Sequence, residues 1–125
     1  MIKIAMVGLG GALGAICRYM VYETCLIMVK EAWLPLGTLI VNILGCFLIG
    51  FLGGIAETRD LFSPELRALI FVGFLGGFTT FSTFGYESFF FIRNGQAEMA
   101  AINVALQLTL GILGVWAGFT LAKLV

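Results

Sequence analysis

The chain has 125 residues, 61% hydrophobic and 11% charged, with seven basic and seven acidic side chains and no histidine. An ordinary soluble domain carries about a quarter of its residues as charges, so a water-soluble globule is excluded, and zero net charge argues against nucleic acid or an acidic polymer as partner. Without histidine there is no Ser/His/Asp or Cys/His arrangement and no ready proton shuttle, so the chain does not read as an enzyme.

A membrane-crossing helix uses roughly 20 apolar residues. Charges and turn residues divide the chain into four such stretches, which make residues 1–125 a single membrane domain with no room for a soluble one. The first span covers about residues 4–29 and closes at Lys30-Glu31. Its long apolar run lacks a small-residue cleavage site, so it reads as a permanent span and not a removed signal. Arg18 falls near its middle, where a charge is costly unless it snorkels or is paired.

The second span covers about residues 35–56, with Pro35 suited to a helix start. Asn42 stands there among Ile40, Val41, Ile43 and Leu44, and an amide in such company must face protein or water. Either an interhelical hydrogen bond or a lining role accounts for it. Thr38, four residues earlier, shares its face.

The third span, about residues 63–92, follows Glu57-Thr58-Arg59-Asp60. It enters at Ser63-Pro64-Glu65, where Ser63 caps, Pro64 fits the first helical position and Glu65 suits the positive N-terminal dipole. Within it lies Gly76-Gly77-Phe78-Thr79-Thr80-Phe81-Ser82-Thr83-Phe84: two glycines, four hydroxyl residues and three phenylalanines in nine positions. In hydrocarbon every backbone N–H and C=O needs a partner, so this run predicts a helix broken at Gly76 to Thr79 that is surrounded by protein or lines an ion path. Freed carbonyls at such a break are how membrane proteins hold alkali cations; a simple kink is the plainer alternative. Phe81 and Phe84, three apart, share a face. Their ring edges are electropositive, although the spacing by itself favours ordinary core packing. Glu87, one turn further on, is the only acid well inside a span, and intramembrane ionisable residues are functional candidates by default.

Arg93-Asn94-Gly95-Gln96 makes the last loop, and the fourth span covers about residues 97–124 with Asn103 and Gln107 on one face. Cys17, Cys25 and Cys46 are odd in number and lack CxxC spacing, which predicts buried small hydrophobes without disulfide or metal. The pairs Gly10/Gly14, Gly50/Gly54, Gly73/Gly77 and Gly114/Gly118 predict faces where helices approach closely. Short loops make neighbouring spans antiparallel. Four spans put both termini and the loop at 57–62 on one side with Lys3, Arg59 and Lys123, against Lys30 and Arg93 on the other. So small a positive-inside excess predicts insertion in both orientations, and two opposed copies would reproduce the inverted-repeat architecture of transporters.

Three patterns, Gly11-x-x-Gly14-x-x-x-Arg18-Tyr19, Gly37-Thr38-Leu39-x-Val41-Asn42-x-x-Gly45 and Gly76 to Phe84 followed by Glu87, resemble the CrcB/Fluc fluoride channels over essentially the whole chain. The resemblance implies an all-α integral membrane protein of the prokaryotic inner membrane, four transmembrane helices with the third broken mid-membrane, assembled as an antiparallel homodimer in the lipid bilayer. It implies two anion pathways, passive export of cytoplasmic fluoride, and a structural sodium ion at the dimer axis held by the backbone carbonyls of Gly76 and Thr79. By the same resemblance Phe81 and Phe84 contact the anion, and Asn42, Thr38, Ser82, Thr83 and Glu87 line its route, with Glu87 as gate or exit group. Arg18 either concentrates anions in a vestibule or serves packing. Fluoride is small and strongly hydrated, so a selective path must replace its water with donors while binding neither too weakly nor too tightly.

The fourth span departs from the family pattern, which pairs serines with tyrosine or histidine. Here Asn103, Gln107 and Thr109 stand instead, with Gly111 where a serine is expected; Asn103 and Gln107 are the candidates to replace the missing donors. Two other classes share the composition. A small multidrug antiporter depends on an acid in the first span, where this chain offers only Glu23 towards the far end. A non-transporting assembly protein would respond to substitution of Phe81 or Phe84 only in stability.

Overall fold

Four helical stretches long and apolar enough to cross a membrane make up the computed structural model, which describes residues 1–30, 32–59 and 61–125. Glu31 and Asp60, placed by the sequence in the first and second loops, lie outside the described residues. Helices α1 (Ile2–Met28) and α2 (Leu36–Thr58) are uninterrupted. The third span, Pro64–Arg93, is composite: α3 (Pro64–Arg67), a π-helical stretch (Ala68–Leu75), α4 (Gly76–Phe78) and α5 (Phe81–Arg93). The fourth is α6 (Ala97–Ala122). Leu9, Ile16, Val72, Ile112 and Trp116 are exposed on the outer faces, as a lipid-facing surface requires. The chain is a multi-pass membrane protein.

Local chemistry sets the limits of the helices. Ser63 Oγ accepts from the Leu66 amide at 3.2 Å with Pro64 in the first turn, which is the anticipated cap. Pro35 is itself the cap residue of α2 and not its first helical residue. Gly95, with φ +76°, makes the tight turn into α6. Arg67 reaches back to the Phe62 and Ala56 carbonyls at 3.4 and 3.3 Å, which keeps its charge at the loop end of the span. Arg59 donates to the Val125 carbonyl, so the second loop and the C-terminus share one end of the bundle.

Packing is pairwise: α1 lies along the π-helical stretch and α4, and α2 lies along α6. The glycine pairs make both seams. A Cβ on Gly10 or Gly14 would strike the carbonyl of Leu69 or Phe74, and one on Gly77 would sit 2.5 Å from the Gly11 carbonyl oxygen. In the other seam Gly50 meets the Val115 carbonyl and Gly118 the Phe47 carbonyl. The cysteines are free, as expected, but half-buried rather than buried.

The break comes later than the sequence suggests. Gly76 is helical at φ −64° and ψ −35°, and the chain leaves the helix at Thr79 (ψ 161°) and Thr80 (φ −150°, ψ 120°). A glycine within a helix costs only about 0.5–1 kcal/mol, and the contact of Gly77 with Gly11 makes use of its missing side chain. What stops the helix is capture of the Thr80 backbone by another span.

Candidate ion pathway

Thr79 and Thr80 stand near the middle of the Pro64–Arg93 span, and both faces of their backbone are held. The Thr80 amide donates to Asn42 Oδ1 at 2.8 Å instead of closing on the Gly76 carbonyl, and the Thr80 carbonyl accepts from Asn42 Nδ2 at 3.0 Å. The side-chain amide of α2 thus pairs with the backbone as a neighbouring strand would. Arg18 Nη1 donates to the Thr79 carbonyl at 3.2 Å, which gives this intramembrane charge a partner within the protein.

Beyond the break α5 begins on a hydroxyl cluster. Thr80 Oγ1 accepts from the Thr83 amide at 3.2 Å, donates to Thr83 Oγ1 at 2.9 Å and lies 3.4 Å from Ser82 Oγ. Thr80 is buried while Ser82 is exposed. Phe81 and Phe84 pack on each other with ring centroids 5.6 Å apart, tilted by 60°. Phe81 is 81% exposed, so on the single chain it covers no core.

From this waist three rungs of polar contacts climb towards the Trp33 end, linking α2, α5 and α6. In the first, the second hydrogen of Asn42 Nδ2 goes to Gln107 Oε1 at 3.0 Å. In the second, Asn103 Nδ2 donates to Ser88 Oγ at 3.1 Å, which donates to the Phe84 carbonyl at 2.9 Å. In the third, Thr38 Oγ1 donates to Glu87 Oε1 at 2.6 Å, so the 3.1 Å contact with Tyr22 has the tyrosine hydroxyl as donor. Tyr22, Thr38 and Glu87 open into a cleft of about 660 Å³ that Trp33, Tyr86 and Phe90 also line.

Of the anticipated residues, Asn42 meets Gln107, Thr38 meets Glu87, Ser82 and Thr83 gather at Thr80, and Arg18 meets Thr79. Asn103 joins the column through Ser88. Thr109 is exposed on the far side of α6 and takes no part. The sequence reading missed Tyr22, Thr80 and Ser88. The signal for Ser88 was its place beside Glu87, and for Tyr22 a hydroxyl one turn from Arg18. Three buried polar atoms have no partner among the described residues: Glu87 Oε2, Asn103 Oδ1 and Gln107 Nε2. Among the same residues no group of three His, Cys, Asp or Glu side chains gathers to hold a metal, so a cation here would depend on backbone oxygens.

Comparison with known proteins shows what the whole chain is similar to. A family model described as CrcB-like protein, Camphor Resistance (CrcB), matches residues 5–119. A fluoride-specific ion channel FluC of Methylobacillus flagellatus is 39% identical over 124 residues, covering 99% of this chain and 97% of its own. Proteins of the same name from Nitratidesulfovibrio vulgaris and Geobacter sulfurreducens are 42% and 41% identical, each alignment covering 98% of both chains.

Proposed function

The chain belongs to the CrcB family, and from that membership we propose that it is a fluoride-selective passive ion channel, not an enzyme, which lets cytoplasmic fluoride leave the cell. The observation that carries this reading is the polar column at a mid-membrane break, in a chain about 40% identical to channels named for fluoride. Irregular backbone is tolerated at membrane depth only inside protein or along a water-filled path. The anion passes the ring edges of Phe81 and Phe84, the hydroxyls of Ser82 and Thr83 and the waist at Asn42, then leaves by Thr38 and Glu87 into the Tyr22 cleft. Among the described residues nothing favours the antiporter: Glu23 is exposed and joins no polar contact of the column.

The working unit in this reading is an antiparallel homodimer. Support comes from the uncovered side of the break, where Phe81, Ser82 and Gly76 are exposed on one chain; hydroxyls and a freed carbonyl in hydrocarbon need a protein cover. The Gly76 carbonyl, deprived of the Thr80 amide, and the Thr79 carbonyl, whose second lone pair remains beside Arg18, are the backbone oxygens that would hold a structural sodium between subunits. Bound there, sodium supplies a fixed positive charge and joins the subunits.

Fluoride efflux from proteoliposomes tests the function, with valinomycin carrying compensating potassium and chloride as control anion. Rapid fluoride loss with chloride retained is the expected result. Retention of both anions by a verified dimer would remove the channel reading.

A further inference from the structure

Two observations at the waist bear on which side chain offers its hydrogens to the anion. Asn42 has none to spare: both hydrogens of Nδ2 are committed, to the Thr80 carbonyl and to Gln107 Oε1. The orientation of both amides follows from one obligate donor. A backbone N–H can only donate, so the Asn42 atom facing the Thr80 amide is Oδ1 and its other atom is Nδ2. Gln107 must then present Oε1 to Asn42, which leaves Gln107 Nε2 with two hydrogens and no acceptor among the described residues.

Gln107 is only 9% exposed. Buried donors are almost always satisfied, and this one sits in a polar column, so its acceptor comes from what enters the column. One turn away on α6, Asn103 Oδ1 is an acceptor equally without a partner. A lone anion would be repelled by that oxygen, whereas an anion that keeps one water can lie on Gln107 and let the water donate to Asn103.

We propose that the Gln107 side-chain NH2 is the amide donor that binds the permeating halide, as a partly hydrated small anion, and that Asn42 acts as a positioning residue that shapes the break and orients Gln107. The inference rests on the channel reading above. It gives the divergent fourth span a definite part in conduction, because where the family pattern offers hydroxyls this chain offers a primary amide aimed by Asn42.

The unmodified protein provides the most direct test. The chain has two glutamines, Gln96 and Gln107, and Gln96 is exposed in the last loop, so glutamine side-chain 15N labelling yields two NH2 groups. Sodium fluoride added to the labelled dimer in detergent should shift the Gln107 pair and leave Gln96 in place, with sodium chloride moving neither. A second measurement uses Gln107→Glu, which keeps an oxygen for Asn42 Nδ2 and removes the donor pair. Since hydrogen bonds to charged groups are the stronger ones, fluoride efflux should fall about ten- to hundredfold with the dimer still eluting as the wild type does. An unmoved Gln107 resonance overturns the proposal, as does wild-type efflux from the variant. In either case wild-type efflux would continue, whereas failure of the channel reading itself would leave the wild type silent.

Discussion

At the scale of single residues the exposure of Phe81 separates function from folding. A side chain 81% exposed on the single chain contributes little to the packing of its own chain, so its substitution leaves that chain's fold in place. Phe81→Ile keeps an apolar side chain but removes the electropositive ring edge. The expected outcome is a folded, monodisperse dimer with fluoride efflux reduced to the level of empty liposomes. Retained efflux would show that the ring is packing only. Phe81 and Asn42 were both legible as candidates from their sequence settings, but the partners of Asn42 were not. Its amide binds the backbone of Thr80, and a backbone N–H and C=O are the same at every position, so no pattern of side chains announces which one a neighbouring helix will capture. Gln107 was visible only as a polar residue of a divergent span; its free hydrogens depend on the direction of the Asn42 amide one helix away.

At the scale of helices, small residues predicted contact correctly because a missing Cβ is itself the contact. Gly50 and Gly53 lie three apart on α2 and behave oppositely. A Cβ on Gly50 would fall on the Val115 carbonyl, 2.9 Å from that residue's Cα, whereas one on Gly53 meets open space. Gly50→Ala must part α2 from α6 and should lower stability by roughly 1–3 kcal/mol. Gly53→Ala should be neutral or stabilising by up to about 1 kcal/mol, from helix propensity alone. Thermal unfolding of the two variants in the same detergent checks both, and equal midpoints would contradict this account of the seam. The same reasoning explains why the break was misplaced by a few residues. Glycine marks where a helix is easily interrupted, yet interruption occurs where another element takes the hydrogen bonds, here at Thr79 and Thr80 through Arg18 and Asn42. The π-helical stretch at Ala68–Leu75 had no sequence signal at all; its apolar residues suit an α-helix equally well.

At the scale of the whole molecule the distribution of charge decides which orientation to expect. One end of the bundle gathers Lys3, Arg59, Arg67 and Lys123, since Arg67 bonds back to the Ala56 and Phe62 carbonyls and Arg59 to the C-terminal residue. The other end carries Lys30 and Arg93. Orientation follows the Lys/Arg bias of short loops near the span ends, but several of these cations are engaged at carbonyls or, like Lys123, lie over a ring, 4.8 Å from the Phe119 centroid. Engaged charges keep their sign while offering less to the membrane surface, so the effective difference between the ends is smaller than the count. Insertion both ways is therefore the expected outcome, and it would supply the opposed partners that the proposed dimer needs at the uncovered side of the break. With Cys17, Cys25 and Cys46 replaced by serine or alanine and one cysteine added at the N-terminus, an impermeant maleimide applied to intact cells should label roughly half of the protein, the remainder reacting only after lysis. One or two lysines added to the loop at 93–96 should drive the population to one orientation, and efflux should fall with it because same-facing copies cannot form the antiparallel pair. Labelling confined to one side in the unaltered chain would leave the break without its opposed partner and so remove the dimer on which the proposed pathway depends.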